Sequence, residues 1–183
     1  MSREERLREF AAAAVRAERE YGYPPRLLIA QWAAESDWGR RTSGEHNYFG
    51  VTFQAKRHRG FRYCPTSEEL TEAQIRTLPA DERATIRSRQ PIGGGRFRVE
   101  LDRKFASYAT LEEAIADKVN LIAQTARYRK EFEEYRRSGD VEALMEGIAG
   151  KGYATASHYG ELLKKIGRQA NVLAAIEGAR RAG

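Results

Sequence analysis

The stretch PPRLLIAQWAAESDWG, residues 24–39, decides how the chain reads. Pro25 suits a first helical turn, where its missing N–H costs nothing and its fixed φ is already helical. Nothing breaks the pattern before Gly39, a common helix stop. A helix is therefore predicted from about Pro25 to Trp38. Three- and four-residue spacing puts Glu35 on one face with Leu28, Gln31, Trp32 and Trp38. A carboxyl beside indole and leucine loses water, which disfavours its charged form and raises its pKa. The negative end of the helix dipole acts in the same direction. A carboxylic acid that keeps its proton near neutral pH is what protonation of a glycosidic oxygen requires. The alternative is a glutamate that caps the helix or pairs with Arg40 or Arg41. Asp37 points elsewhere and reads as exposed.

Upstream, Ser2 and Glu5 have capping-box spacing, and Leu7, Phe10, Ala14, Val15 and Tyr21 keep a helical stripe. Gly22, Pro24 and Pro25 separate that helix from the next. Downstream, residues 40–60 read as loop around Asn47-Tyr48-Phe49-Gly50, with Phe49 in the core. Beyond Gly93-Gly94-Gly95, Phe97, Val99 and Leu101 alternate with charged residues, the period of a strand. Thr85–Arg89 is the candidate hairpin partner, with a short helix around Glu72–Leu78 before it. Helix returns at Thr110, whose spacing to Glu113 repeats the capping box, and Leu111, Ala114, Ile115, Lys118, Val119 and Ile122 follow. Tyr128, Phe132 and Tyr135 mark another helix. Ser138-Gly139-Asp140 is a turn and cap, and Val141, Leu144, Met145 and Ile148 make the next helix. One last helix is predicted from near Ser157 through Tyr159, Leu162, Leu163, Ile166, Leu173 and Ile176, with a frayed tail at Arg180–Gly183.

The 183 residues, 41% hydrophobic and 32% charged, fit one globular domain rather than a disordered or fibrous chain. No stretch is long and apolar enough to span a bilayer, and the first twenty residues are too charged for a secretory signal. Cys64 is the single cysteine, so no internal disulfide forms; it reads as a buried or incidental thiol. The net charge of +6 favours an anionic partner, although arginines and glutamates are mixed along the chain. His46, His58 and His158 lack ligand spacing, so neither a metal nor a cofactor is expected. A basic helical nucleic-acid binder is the alternative of another class. It would use Arg57-His58-Arg59, Arg62 and Arg87–Arg98 with Phe61, Tyr63 and Phe97.

An ordered set of short motifs carries a resemblance. Gly22-Tyr23-Pro24-Pro25, Ala30-Gln31, Ala34-Glu35-Ser36, Trp38-Gly39 and Asn47-Tyr48-Phe49-Gly50 are followed by Lys104-Phe105, Tyr108, Ala149, Gly152-Tyr153-Ala154-Thr155 and Tyr159. Over roughly residues 10–176 the chain resembles the glucosaminidase family of bacterial autolysins and flagellar peptidoglycan hydrolases, glycoside hydrolase family 73. The resemblance implies an α+β, predominantly helical, lysozyme-like fold: a helical lobe, a small β-hairpin lobe at approximately 61–105, and a cleft between them, all in one catalytic domain over 1–183. It implies hydrolysis of the β-1,4 bond between N-acetylglucosamine and N-acetylmuramic acid in peptidoglycan glycan strands, with Glu35 as general acid. A lytic transglycosylase or muramidase on the same fold, and a catalytically dead wall-binding module, are neighbouring readings.

The same resemblance assigns the remaining site. The family's β-lobe Glu falls on Thr66-Ser67-Glu68-Glu69, with Glu68 aligned and Glu69 as fallback. The extra charged stretch Ala73–Arg89 departs from the family pattern, so Glu82, Glu100 and Asp102 stay open; the bland reading is a glutamate pair opening a helix. Tyr153 of Gly-Tyr-Ala-Thr would steady oxocarbenium charge or the substrate's acetamido group. Asn47 would bind sugar or hold its turn, and Gln31, Trp38, Tyr108 and Glu69 complete the candidate substrate contacts, with Trp32 and Tyr63 as further stacking candidates. The protein would act on the cell wall, in periplasm or outside the cell, as a monomer, with no nucleic-acid partner. A phage endolysin, an autolysin, a delivered effector and a flagellar enzyme all fit.

Overall fold

Helix α1, Arg3–Tyr21, starts where Ser2 and Glu5 exchange side-chain and backbone bonds in a capping box, and ends at left-handed Gly22. This computed structural model describes residues 1–123, 125–151 and 158–183. Helix α2, Pro25–Ser36, opens on Pro24 and Pro25 and buries Leu27 through Ala33 without interruption. A helix apolar on every side belongs in an interior, and α2 is the centre of the helical unit. Packed on it are α1, α7 (Val141–Gly150), α8 (Tyr159–Gly167) and α9 (Ala170–Ala182). Helices α5, Leu111–Ala123, and α6, Arg129–Ser138, complete this unit, which spans Met1–Thr42 and Ala109–Gly183.

Helix α2 stops two residues short of the predicted end. Asp37, Trp38 and Gly39 all have positive φ, at 51°, 57° and 74°. The Ser36 hydroxyl donates to the Trp32 carbonyl at 2.5 Å and accepts the Gly39 N–H at 2.8 Å. A Cβ on Gly39 would lie 2.7 Å from the Trp32 ring. Both backbone sign and space therefore require glycine there. The turn takes Trp38 off the helical stripe on which sequence spacing had put it.

The later helices follow their caps. Thr110 accepts the Glu113 N–H, while the Glu113 carboxylate takes the Ala109 N–H, one residue earlier than in a reciprocal box. Gly139 ends α6 in a left-handed turn and Asp140 caps α7. The single last helix predicted from the sequence is two: Gly167 to Gln169 separates α8 from α9, and the predicted start at Ser157 lies outside the described residues. The tail is helical through Ala182 rather than frayed, with Arg180 bonded to both Glu18 oxygens. Among the described residues, no helix is long and apolar enough to cross a membrane.

The second compact unit is Ser43–Tyr108, wider than the predicted lobe of 61–105. It holds a three-stranded antiparallel sheet ordered β1-β3-β2, built from β1 (Gly60–Thr71), β2 (Ser88–Gly93) and β3 (Arg96–Ser107). The alternation around Val99 correctly marks β3. No clear sequence signal marks β1, because its half-buried face carries Cys64, Thr66 and Glu68 before Leu70. The hairpin partner of β3 is β2, which starts further along than Thr85. Thr85 instead accepts the Asp102 N–H on its hydroxyl, and pairing proper begins at Ser88↔Glu100. Between β1 and β2 stand α3, Glu72–Thr77, capped reciprocally by Thr71 and Gln74, and α4, Ala80–Arg83. Leu70, Ile75, Val99 and Leu101 form this unit's small core.

Candidate active site

Glu35 sits in the last turn of α2 with its side chain one-fifth exposed. The Tyr159 hydroxyl, from the first residue of α8, donates to Glu35 Oε1 at 2.9 Å. Lys118 Nζ, from α5, lies 3.4 Å from Oε1 and 3.3 Å from Oε2. Those lengths describe an ion pair lying across both oxygens rather than one tight hydrogen bond. Behind them Tyr23 is buried, donates to Gln31 Oε1 at 2.8 Å and stacks at a tilt on Phe132.

The electrostatics are a contest. Burial raises the Glu35 pKa; the Lys118 charge, the Tyr159 hydrogen bond and the Lys118 hydrogen bond oppose it, in that order, and burial wins. Burial also drives the Lys118 ammonium below its ordinary pKa, against the pull of Glu35. The Tyr159 and Tyr23 hydroxyls are pushed well above the usual tyrosine range, first by burial and then by the Glu35 charge, so both stay protonated donors. A carboxyl with raised proton affinity, bonded by one hydroxyl and one ammonium, is equipped to hold a proton and hand it over.

The desolvating groups differ from those expected. The indoles face α1: Trp32 stacks on Phe10 at 4.4 Å, Trp38 meets Trp32 edge-on at 6.1 Å, and the Arg3 guanidinium lies 3.7 Å above Trp38. Arg6 donates to the Trp38 carbonyl. Trp38 is thus occupied by α1. Arg40 pairs with Asp37 at 3.4 Å, not with Glu35. Among the described residues, the groups that bear on Glu35 include two tyrosines and a lysine. Sequence reasoning gave Lys118 and Tyr159 no role at Glu35, but Lys118 carried a signal. It interrupts the apolar stripe of α5, and a lysine that faces inward needs a partner.

In the second unit Glu68 lies inside β1, opposite Val99, so the reading of Glu68 and Glu69 as a pair opening a helix is corrected. The helix begins at Glu72. Alternation divides the two: Glu68 is on the half-buried face with Leu70, and Glu69 on the exposed face near Arg96 and Arg98, at 3.7 and 3.6 Å. Arg103 Nη1 binds Glu68 Oε2 at 2.7 Å, and its Nε lies 2.7 Å from Glu82 Oε2. Glu82, only 4% exposed, also accepts the Lys104 N–H at 3.0 Å. The extra stretch Ala73–Arg89 thus supplies a buried carboxylate that shares one guanidinium with Glu68. Asp102 pairs with Arg87 at 2.6 Å; Glu100 is exposed on β3.

Two other candidate contacts are corrected by burial. Gln31 is fully buried, and its oxygen holds the Tyr23 hydroxyl. Asn47 is buried in its turn: Nδ2 donates to the Val51 and Ala106 carbonyls, and Oδ1 accepts the Val51 N–H. Neither presents polar surface to a glycan. Tyr108 is mostly buried, edge-on to His58, whose Nδ1 accepts the Gln54 N–H. Cys64 is half-buried, with Sγ 2.9 Å from the Ser43 carbonyl. Tyr153 lies outside the described residues. Among the described residues no group of three His, Cys, Asp or Glu is placed to hold a metal ion. Of the arginines in the nucleic-acid reading, Arg87, Arg89, Arg96 and Arg98 each face an acidic partner.

Comparison with known proteins bears on the chain as a whole. Residues 11–172 match the Glucosaminidase family, described as mannosyl-glycoprotein endo-beta-N-acetylglucosaminidase. The peptidoglycan hydrolase FlgJ of Pseudomonas aeruginosa is 26% identical over 172 residues, covering 91% of this chain and 36% of that protein. FlgJ of Escherichia coli K12 is 27% identical, covering 89% and 45%. The chain therefore spans less than half the length of these relatives. Among solved structures, the glycoside hydrolase domain of Salmonella typhimurium FlgJ superposes with a TM-score of 0.66 at 21% identity, covering 100% of this chain and 96% of that one. The catalytic domain of the Listeria monocytogenes autolysin Auto gives 0.65 at 17%, covering 96% and 88%. At these identities the structural likeness speaks for the fold, which is that of an α+β domain with a small three-stranded sheet.

Proposed function

This chain belongs to the glucosaminidase family, and on that premise we propose that it is an endo-β-N-acetylglucosaminidase of peptidoglycan, with Glu35 as the proton donor. The observation that carries the proposal is the Glu35 carboxyl: buried enough that its proton affinity is raised, yet bonded to Tyr159 and Lys118 so that its orientation is held. In the reaction Glu35 gives its proton to the glycosidic oxygen as the bond to the anomeric carbon breaks. Positive charge develops on the ring, and water adds to the anomeric carbon. Glu68, held by Arg103, is the proposed second carboxylate and takes the proton from that water. The competing route has the substrate's acetamido oxygen attack the anomeric carbon, which makes Glu68 less essential. Tyr153, by its place in Gly-Tyr-Ala-Thr, is proposed to steady the developing charge or the acetamido group.

The substrate class sets the place of action. Glycan strands lie in the bacterial wall, so the domain works there, in the periplasm or outside the cell. The net charge of +6 favours approach to an anionic wall polymer. The test is mass spectrometry of muropeptides released by the wild type and by Glu35→Gln. Reducing N-acetylglucosamine ends from the wild type, and none from the variant, are the expected result. Reducing muramic ends would make it a muramidase, and anhydro-muramic ends a lytic transglycosylase. Undiminished release by Glu35→Gln would remove Glu35 from the chemistry.

A further inference from the structure

We propose that Lys118 is a positioning residue for Glu35, whose ammonium, laid across both carboxylate oxygens, sets the upper pH limit of catalysis. The inference rests on Glu35 being the proton donor.

Lys118 reaches Glu35 from the buried face of α5, where its neighbours are Ala114, Ile115, Val119 and Ile122. Only 4% of its side chain is exposed. Lysine rarely accepts such burial without a partner, and its long stem leaves it free to seek water elsewhere on most helices. Here Nζ is brought within 3.3 Å of Glu35 Oε2 and 3.4 Å of Oε1. The contact with both oxygens fixes the plane of the carboxyl as well as its charge, and Tyr159 fixes Oε1 from the other side.

Several charges on the surrounding elements have other partners. On α1, Arg3 and Arg6 go to Trp38. At the far end of α2, Arg26 binds Glu142 of α7, which also binds Arg168 after α8. From α9, Val172 and Ile176 are the buried residues. Among the described residues the titratable hydroxyls facing the site include Tyr159, Tyr23 and, alongside them, Tyr128, and all three are buried. Lys118 is thus a cation in contact with both oxygens of the carboxyl.

Glu35 and Lys118 titrate as a pair. The form that can protonate a leaving group carries both protons, a carboxylic acid beside an ammonium. As pH rises the pair loses one proton, and a carboxylate in contact with an ammonium remains, which donates poorly. A cation within about 4–6 Å lowers a carboxyl pKa by about 1–3 units. Lys118 therefore brings the alkaline limb of activity to lower pH than burial alone would set. A lysine present only for packing would change the rate at every pH and leave the limb in place.

The test compares kcat/KM against pH for wild type, Lys118→Met, Lys118→Arg and Glu35→Gln on solubilised glycan strands. Lys118→Met is expected to move the alkaline limb upward by about one pH unit or more, and Lys118→Arg to leave it near the wild-type position. A uniform loss with an unmoved limb in Lys118→Met, or the same shift in Lys118→Arg, would overturn the inference. Should the variants fail to fold, carbon-13 titration of the wild type decides. The Lys118 Cε signal should respond at the Glu35 midpoint, and a flat response there defeats the proposal. Glu35→Gln separates the two levels: if it remains active, the reading of Glu35 falls; if it is inactive and the limb is unmoved, only the role of Lys118 falls.

Discussion

Glu35 in the helical unit and Glu68 in the sheet unit have nearly the same exposure, 20% and 26% of the side chain. Their partners differ. Glu35 faces a lysine, a group that readily gives up its proton when buried. Glu68 faces Arg103, a guanidinium that keeps its charge, and that guanidinium is shared with buried Glu82. At Glu35 burial raises the proton affinity of the carboxyl and lowers that of the ammonium. At Glu68 one guanidinium is shared between two carboxyls. Two carboxyls of like exposure thus face counter-ions of different chemistry, and the proposed roles follow that difference. A donor needs a proton that can leave, and a residue that receives one from water must be ionised beforehand.

On a common scale of about 1.4 kcal/mol per tenfold, the largest expected effect is on the first member of this pair. Glu35→Gln should lower kcat by about 10²–10⁴-fold with the far-ultraviolet circular dichroism unchanged, as measured on purified peptidoglycan. Next comes the network around the second. Arg103→Met leaves the Glu82 carboxylate buried without its cation and should cost about 3 kcal/mol of stability, read from urea unfolding. Equal stability would mean that Glu82 is not held by Arg103.

Glu68→Gln should cost about 10²-fold in kcat, the low end for a general base and less than the change at Glu35. Nuclear magnetic resonance of the first-formed sugar end sharpens the result. Inversion at the anomeric carbon fits Glu68 activating water, whereas retention with little loss in the variant assigns attack to the acetamido oxygen. The smallest effect lies away from both carboxyls. Arg168 and then Arg26 hold the Glu142 carboxyl down at about 2. Its contribution to stability is present above the ordinary glutamate range and is lost as pH falls toward about 2. Glu142→Gln should therefore lower Tm slightly at neutral pH, with the difference vanishing in strong acid. The sign at Glu35 is opposite: its raised proton affinity stabilises the fold below the ordinary range and ceases to do so as pH rises.

Much of the helical unit was legible because local signals dominate it. Ser2 with Glu5, Pro25, Gly139 and Asp140 act through their immediate neighbours, and each marks a boundary correctly. Where tertiary demands intervene, the reading slips. The end of α2 is set by Gly39 passing against the Trp32 ring, not by helix propensity, and this sends Trp38 toward α1. Strand β1 escaped because its register is fixed by pairing with β3, not by a clean alternation of its own. Glu35 stood out from its motif and its apolar surroundings. Its partners did not, since Lys118 and Tyr159 come from 83 and 124 residues away. No spacing rule spans such distances. The inward lysine in the α5 stripe was the one local trace of that contact. Asn47 and Gln31 show the converse: motif residues that serve the backbone and Tyr23 rather than a substrate.

The central claim is that Glu35 keeps its proton beyond the range of an ordinary glutamate. Carbon-13 titration of the side-chain carboxyls, with Glu35 assigned by its absence in Glu35→Gln, measures this directly. A Glu35 midpoint clearly above about 4.3, the value for an unperturbed glutamate, is the result predicted. A midpoint at or below that value would contradict the account.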